Sequence, residues 1–221
     1  MNNAALIELI EHDSHGSAIE CVAEEAANWL GMCSLAGSAS AVLPGGPSLY
    51  VMLKLLASQP IRWDRVTVTT TDECKVLKGH AYPNISTICS AFEGEPAERA
   101  MIVPIKDRYA HCRVRMPFDL LVLEIKKDGR IASLFPKSNY GFGSDLPIIE
   151  VAPDLPHVQG SAPRWSWTLP ALSSARHTII LCSGSEKRAV VDAALRSSAG
   201  PLGAFLSISQ GTVAIHSTEA V

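Results

Sequence analysis

Residues that could do chemistry stand directly after apolar runs of this chain. Gly45, Gly46 and Ser48 belong to PGGPS (44–48), which separates ASAVL from LYVMLKLLAS. Unpaired backbone N–H groups at the start of a helix attract anions, and glycines let an anion approach the backbone closely. The loop therefore predicts a phosphate or carboxylate site, and a tight turn that binds nothing is the alternative.

Two adjacent carboxylates, Asp72 and Glu73, follow the β-branched run RVTVTT. Neighbouring side chains of an extended chain diverge, so one could enter a site while the other holds a loop. A carboxylate held near its proton target can act as a general base. Capping of a helix or turn is the alternative role.

Three further candidates carry charge. In EIKKDGRIASLFP (124–136), Asp128 and Gly129 predict a turn and Arg130 follows it. Arg164, in APRWSWTLP, could grip a phosphate through its planar guanidinium group, although an arginine at a strand start is usually a solvated edge residue. Lys187 lies in the first turn of a predicted helix, where a cation is unfavourable unless an anion compensates it.

Strands alternate with helices along the chain, which predicts an α/β fold with a mainly parallel, twisted sheet and helices on both faces. Ligands of such sheets bind beyond the carboxyl ends of the strands, at a topological switch point, where these candidates stand. We expect a single domain over residues 1–221. The predicted strands are ASAVL (39–43), RVTVTT (65–70), MIVPI (101–105), FDLLVLEI (118–125) and HTIILCSG (177–184). The predicted helices are SAIECVAEEAANWLG, from a capping box of Ser17 and Glu20 to Gly31, LYVMLKLLAS (49–58) and SEKRAVVDAALRS (185–197).

Composition narrows the function classes. The chain is 47% hydrophobic and 19% charged, which is ordinary for a folded enzyme. A net charge of −3 without a basic segment favours small-molecule partners over nucleic acid. The first residues lack the pattern of a secretory signal and no apolar run has bilayer length, so we expect a cytoplasmic protein without membrane contact.

Metal and cofactor sites are not predicted. The six cysteines form no Cys-x-x-Cys pair and are expected to be reduced, and the seven histidines lack zinc-ligand spacing. A nucleophile elbow is absent, and GFGSDL lacks the third glycine of a dinucleotide fingerprint.

Taken in order, these segments resemble the 6-phosphogluconolactonase family, which is related to glucosamine-6-phosphate deaminases and, more distantly, to ribose-5-phosphate isomerases. The resemblance covers essentially the whole chain and rests on GGPSL (45–49), Trp63, DEC (72–74), PN (83–84), FDLLVL (118–123), DGRIASLFP (128–136), PRWSWT (163–168) and GSEK (184–187). It implies the ribose-5-phosphate isomerase/glucosamine-6-phosphate deaminase fold. It also implies hydrolysis of 6-phospho-D-glucono-1,5-lactone to 6-phosphogluconate, a step of the pentose phosphate pathway that needs no cofactor. The implied catalytic positions are Asp72, Glu73, Asp128 and Arg130, and the implied substrate or phosphate contacts are Gly45, Gly46, Ser48, Asn84, Arg164 and Lys187.

The chain departs from the family pattern at positions that bear on the chemistry. Arg130 aligns with the proposed catalytic histidine of the family, and an arginine cannot accept a proton near neutral pH. Glu124 and Lys126 align with two glycines, and Cys74 aligns with an arginine. The phosphate loop has Pro47 and Leu49 in place of serine and proline.

Three interpretations follow. In the first, the chain is a lactonase in which Asp72, Glu73 or a histidine such as His80 is the base and Arg130 or Lys126 stabilises the oxyanion. In the second, it is a catalytically impaired homologue that binds a sugar phosphate or a partner without turnover. In the third, it acts on another substrate, either an unphosphorylated lactone or a sugar phosphate from which Asp72 removes a proton.

Overall fold

The computed structural model describes residues 5–76, 83–136, 139–152 and 162–219. Within these ranges the strands are β1 (Ile7–Glu11), β2 (Ala39–Leu43), β3 (Val66–Thr70), β4 (Asp72–Cys74), β5 (Met101–Val103), β6 (Leu120–Glu124), β7 (Ile148–Val151), β8 (Arg164–Trp167), β9 (His177–Ser183) and β10 (Thr212–Thr218). The α-helices are α1 (His15–Ala36), α2 (Tyr50–Ala57), α3 (Pro83–Phe92), α4 (Leu169–Ser173), α5 (Ser185–Arg196) and α6 (Gly200–Ile208). The five predicted strands and the predicted helices α2 and α5 are confirmed, with ends shifted by up to two residues.

Two sheets organise the chain. Seven strands pair in parallel in the order β1-β10-β9-β6-β2-β3-β5, which confirms the predicted α/β fold. A second sheet, in the order β4-β8-β7, is antiparallel and was not predicted. Asp72 and Glu73, which follow β3 in the sequence, therefore begin β4 of the smaller sheet.

Alternate residues of the central strands pack into two separate cores. In β6, Leu120 and Val122 join the core that contains α1, α2 and α3. Leu121 and Leu123 join the other core, which contains α5, α6 and the small sheet. Because successive side chains of a strand point to opposite faces, a strand covered on both sides reads as a continuous apolar run. This explains FDLLVL and confirms the helices on both faces of the large sheet.

The first helix differs from its prediction at both ends. Ser14, not Ser17, is the N-cap, and its hydroxyl accepts a hydrogen bond from the Ser17 backbone N–H. Ser17 is the other residue of that capping box, and the helix does not begin there. The helix also continues through Gly31 to Ala36, because a single glycine costs about 1 kcal/mol, which the packing of the buried face outweighs. Within the described ranges, no helix combines the length and the apolar character needed to cross a bilayer.

The strand order creates one reversal point at the centre of the large sheet. From β2 the chain runs outward through β3 to β5, and then returns to place β6 on the opposite side of β2. The crossovers therefore leave in opposite directions from β2 and β6, and a crevice opens beyond their carboxyl ends. Gly45 and Gly46 follow β2, and Glu124 ends β6, so these residues border the crevice.

Candidate active site

A cavity of about 190 Å³ occupies this crevice, and we call it the switch-point cavity. Six of the ten predicted site residues line it: Gly45, Gly46, Asp72, Asn84, Arg130 and Arg164. Ser48 and Lys187 line an adjoining cavity, and Glu124 borders both. Glu73 and Asp128 line neither cavity.

Asp72 is held from several directions at the wall of the switch-point cavity. Arg164 contacts its Oδ2 atom through Nε at 3.0 Å and Nη2 at 2.7 Å, and the Ser133 hydroxyl donates to the same oxygen. Thr71 donates to Oδ1 at 2.8 Å, while the Asn84 amide donates to the Asp72 backbone carbonyl at 2.7 Å. Since only 7% of Asp72 is exposed, these contacts give the carboxylate one orientation toward the cavity.

The side chain of Cys74 contacts Arg164 beside the site. A guanidinium N–H of Arg164 donates to the Cys74 sulfur, so the two side chains pack together where the family carries an arginine at the cysteine position. Burial raises the pKa of the Cys74 thiol, and the positive charge of Arg164 opposes that rise. Cys74 lacks the positive charge of the family arginine, and the guanidinium group of Arg164 provides positive charge beside Asp72.

Glu73 points away from the cavity and caps α3. Its carboxylate accepts hydrogen bonds from the backbone N–H groups of Ile85 at 2.8 Å, Asn84 at 3.1 Å and Cys74 at 2.9 Å. Burial raises the pKa of Glu73, and these backbone donors act against the rise. The capping role, which was the alternative to a general base, is the one its contacts support.

The two glycines of the PGGPS loop differ in how closely other groups approach them. A Cβ atom on Gly45 would lie 2.3 Å from the Asn84 backbone, so Gly45 allows α3 to approach the loop. A Cβ atom on Gly46 would meet only Ser48 Oγ at 3.5 Å and Glu124 Oε2 at 3.6 Å, which are ordinary contacts. Gly46 has φ of −72°, so its backbone does not need glycine. The missing side chain of Gly46 keeps the space above the loop open.

Arg130 enters the switch-point cavity from the turn after β6. The Asp128 carboxylate accepts from the Arg130 backbone N–H at 3.2 Å and lies 3.6 Å from its guanidinium Nε. The guanidinium group stacks on Phe135, 5.0 Å from the ring centre. Ala132 adopts φ of +49°, a region that disfavours side chains, in the bend between Arg130 and Ser133. Asp128 thus shapes the turn, and Arg130 supplies a positive charge to the cavity.

The carboxylate of Glu124 accepts hydrogen bonds from three segments of the chain. Its Oε2 atom accepts from Ser48 Oγ at 2.9 Å and Lys126 Nζ at 2.8 Å, and its Oε1 atom accepts from Lys187 Nζ at 3.0 Å. Burial raises the pKa of Glu124, but the hydrogen bonds and charges of Lys126 and Lys187 outweigh burial and lower it. Glu124 is the anion that compensates Lys187 in the first turn of α5.

The arrangement suits a reaction that develops negative charge. Lys126, Arg130 and Arg164 face the switch-point cavity beside the carboxylates of Asp72 and Glu124. Among the described residues, no histidine lines this cavity. His80, which was a candidate base, lies outside the described residues. Within the same ranges, no group of three or more His, Cys, Asp or Glu side chains could hold a metal ion.

Ser133, Glu124 and Lys126 are among the lining residues that were not predicted as site residues. Ser133 belongs to IASLFP, in which Ile131 and Leu134 are fully buried. A serine between two core residues was the signal that could have revealed it. From the sequence, Glu124 and Lys126 are departures from two family glycines, and Lys126 is also an alternative to Arg130 for stabilising the oxyanion.

A family model described as glucosamine-6-phosphate isomerases/6-phosphogluconolactonase matches residues 13–213, which include every site residue named above. The chain belongs to this family. A 6-phosphogluconolactonase of Pseudomonas aeruginosa is 31% identical over 181 residues, which cover 72% of each chain. One from Neisseria meningitidis is 27% identical over 204 residues, covering 83% of this chain and 86% of the relative. Both relatives carry the name that the resemblance predicted.

The fold of the family is also found in solved structures. A 6-phosphogluconolactonase from Shewanella baltica superposes with a TM-score of 0.85 at 22% identity, covering 99% of both chains. The predicted family and fold are therefore confirmed. The comparisons give no support to the interpretation of an impaired homologue.

Proposed function

We propose that this chain is a 6-phosphogluconolactonase that opens 6-phospho-D-glucono-1,5-lactone to 6-phosphogluconate. The observation that carries the proposal is the switch-point cavity, in which Asp72 lies beside Arg130, Arg164 and Lys126 in a chain of this family. A carboxylate beside several cations suits an ester hydrolysis, which needs a proton acceptor and a counter-charge for an oxyanion.

In the proposed mechanism, Asp72 accepts a proton from a water molecule that attacks the lactone carbonyl carbon. The carbonyl oxygen becomes an oxyanion, which Arg130 stabilises from the turn after β6. Collapse of the tetrahedral intermediate breaks the bond to the ring oxygen, which takes up the proton held by Asp72 and leaves as a hydroxyl group. Because the lactone is activated and opens unaided, a carboxylate is a sufficient base although Arg130 occupies the histidine position.

The remaining predicted residues receive supporting roles in the proposal. Arg164, Ser133 and Asn84 orient Asp72, and the open space above Gly46 admits the substrate. Glu73 and Asp128 act as positioning residues, since Glu73 caps α3 and Asp128 shapes the Arg130 turn. Ser48 and Lys187 provide contacts for the substrate phosphate in the adjoining cavity.

We further propose one domain over residues 1–221 and a cytoplasmic location. The small sheet shares its core with the large sheet, since Trp165 and Trp167 pack in the same cluster as Leu121 and Leu123. All six cysteines are free thiols, which suits a reducing compartment. The proposed partner is a small sugar phosphate lactone, with no nucleic acid or membrane involved.

The rate of 6-phosphogluconolactone opening, corrected for spontaneous hydrolysis, tests the proposal. The wild-type protein should exceed the spontaneous rate, and Asp72→Asn should lower kcat about a hundredfold or more, as loss of a general base does. Asp64→Asn is the matched control, because Asp64 is an exposed carboxylate paired with an arginine before β3, away from both cavities. A wild-type rate equal to background would refute the lactonase function, and an unaffected Asp72→Asn variant would refute its mechanism.

A further inference from the structure

The carboxylate of Glu124 is bound in the way that a free anion is bound. A hydroxyl group, Ser48 Oγ, and two ammonium groups, Lys126 Nζ and Lys187 Nζ, surround it at 2.8–3.0 Å. The three donors come from the turn after β2, the loop after β6 and the first turn of α5. Only 11% of the Glu124 side chain is exposed, so the protein replaces most of its hydration.

The donors converge on a point that is otherwise suited to a ligand. Oε2 of Glu124 would lie 3.6 Å from a Cβ atom on Gly46, so the carboxylate sits over the glycine loop. Glu124 also separates the switch-point cavity from the adjoining cavity, since it lines both. A molecule that extends from Arg130 toward Lys187 must therefore pass the position of this carboxylate.

The ammonium groups of Lys126 and Lys187 repel each other, so a negative charge that contacts both stabilises them. Without Glu124, Lys126 and Lys187 would lose the carboxylate that both contact, and Lys187 would also oppose the dipole of α5. A phosphate group, with about two negative charges and several acceptor oxygens, satisfies the same three donors as a carboxylate does. The three donors can therefore serve one anion or the other.

We propose that Glu124 is a tethered anion that occupies the position of the substrate phosphate and must move away before a phosphorylated ligand binds Ser48, Lys126 and Lys187. The inference rests on the proposed function, because it takes the ligand to be a sugar phosphate. Glu124 is then a specificity-determining residue: it weakens the binding of phosphorylated ligands by competing for their contacts. An unphosphorylated lactone avoids this competition, since it needs none of the three donors.

Direct binding measurements separate this inference from catalysis. Inorganic phosphate and 6-phosphogluconate are titrated by calorimetry into the wild type, Glu124→Gln and Glu186→Gln at constant ionic strength. Glu124→Gln removes the charge but keeps the shape, and should tighten binding of both ligands about ten- to a hundredfold, within the usual range for coupling between two sites. Glu186 lies next to Lys187 in sequence but pairs with Lys127, so Glu186→Gln should change either affinity less than about threefold.

A second substitution locates the gained binding. Lys187→Met in the Glu124→Gln background should abolish the gain, and Glu124→Gly serves as a further test because it clears the position completely. Binding by Glu124→Gln and Glu124→Gly that is no tighter than in the wild type would overturn the inference, as would a gain that survives Lys187→Met. These binding results do not depend on turnover. A failure of this inference can therefore be distinguished from a failure of the lactonase assay.

With lactone as substrate, the same competition should appear in KM. Glu124→Gln should lower KM by a larger factor than it changes kcat, because it affects ligand binding and not the reacting carbonyl. A large loss of kcat with KM unchanged would instead make Glu124 a catalytic base and would overturn its role as a competitor.

Discussion

Arg164 pairs with Asp72 through two guanidinium nitrogens, although 92 residues separate them in the chain. The antiparallel ladder of the small sheet creates this contact, because Asp72 pairs with Ser166 and Cys74 pairs with Arg164. Side chains two residues apart in a strand share a face, so the two charged groups meet diagonally across the ladder. The carboxylate at the cavity wall is thus positioned by a strand from a distant part of the sequence.

Arg130 should contribute to kcat through its charge. We expect Arg130→Met to lower kcat about a hundredfold if its guanidinium stabilises the oxyanion, as loss of such a donor does in other acyl transfers. Arg130→Lys should retain part of the rate, because it keeps the charge without the planar donor geometry. The measurement is the steady-state rate of lactone opening, and Arg62→Met, an exposed cation paired with Asp64, is the control. Equal rates for wild type and Arg130→Met would exclude the oxyanion role.

The two loop glycines should respond differently to alanine. Gly45→Ala places a methyl group 2.3 Å from the Asn84 backbone and should lower the free energy of unfolding by about 2 kcal/mol, as overpacking does. Gly46→Ala has room for the methyl group and should leave stability within about 0.5 kcal/mol. Gly46→Ala should nevertheless raise KM, because it fills the space over the loop. Urea unfolding and steady-state kinetics on both variants check this, and equal destabilisation by the two substitutions would contradict it.

Glu73 should matter mainly for stability. Glu73→Gln keeps one acceptor oxygen but turns an N–H₂ group toward the backbone donors of Cys74, Asn84 and Ile85. We expect a loss of about 2 kcal/mol in the free energy of unfolding, because buried donors lose their partner. Thermal unfolding measures the loss, and rates are compared per folded molecule. A kcat reduced a hundredfold in fully folded Glu73→Gln would instead assign Glu73 to the catalytic group.

A histidine cluster away from the cavity should make stability depend on acid pH. Glu25 accepts hydrogen bonds from His177 and His216, each at 2.7 Å. The Nε2 atom of His12 lies 2.9 Å from Nδ1 of His216. Burial raises the pKa of Glu25, but the two histidines outweigh burial and lower it to about 2, from 4.5. A lowered pKa gives stability that is complete above about pH 4.5 and is lost as the pH falls toward 2.

Glu25→Gln should therefore destabilise the protein by about 2 kcal/mol near pH 6, and the deficit should shrink below pH 4.5. Urea unfolding at several pH values measures both effects. Glu24→Gln is the control, because Glu24 is exposed on the same helix. A deficit that stays constant from pH 6 to pH 3 would contradict the assignment.

Periodicity and residue type predicted the main sheet because its central strands are covered on both sides. FDLLVLEI and HTIILCSG are continuous apolar runs, and each forms a strand buried on both faces. Asp72–Cys74 is a strand of only three residues with two charged side chains, so local pattern carries little signal for it. Its pairing with β8 depends on tertiary contacts that a single sequence does not display.

The candidate site was predicted as a set of residues but not as a set of contacts. The unfavourable position of Lys187 pointed to a compensating anion, and the structure supplies it as Glu124 from a strand 63 residues away. Similarly, Asp72 and Glu73 were expected to diverge, but which one faced the cavity depended on where α3 begins. Residue type therefore predicted which residues could take part in chemistry. Their hydrogen-bond and ion-pair partners depend on the packing of elements that are distant in sequence.

The small sheet also determines when the site can form. During synthesis, Asp72 leaves the ribosome well before Arg164 has been added, so in the nascent N-terminal portion the Asp72 carboxylate lacks this counter-charge. Contacts between residues so distant in sequence form late, because a long loop must close first. The large sheet closes an even longer loop, because β1 pairs with β10, so the site and the large sheet should be recovered together after dilution from denaturant, and only when the last third of the chain is in place.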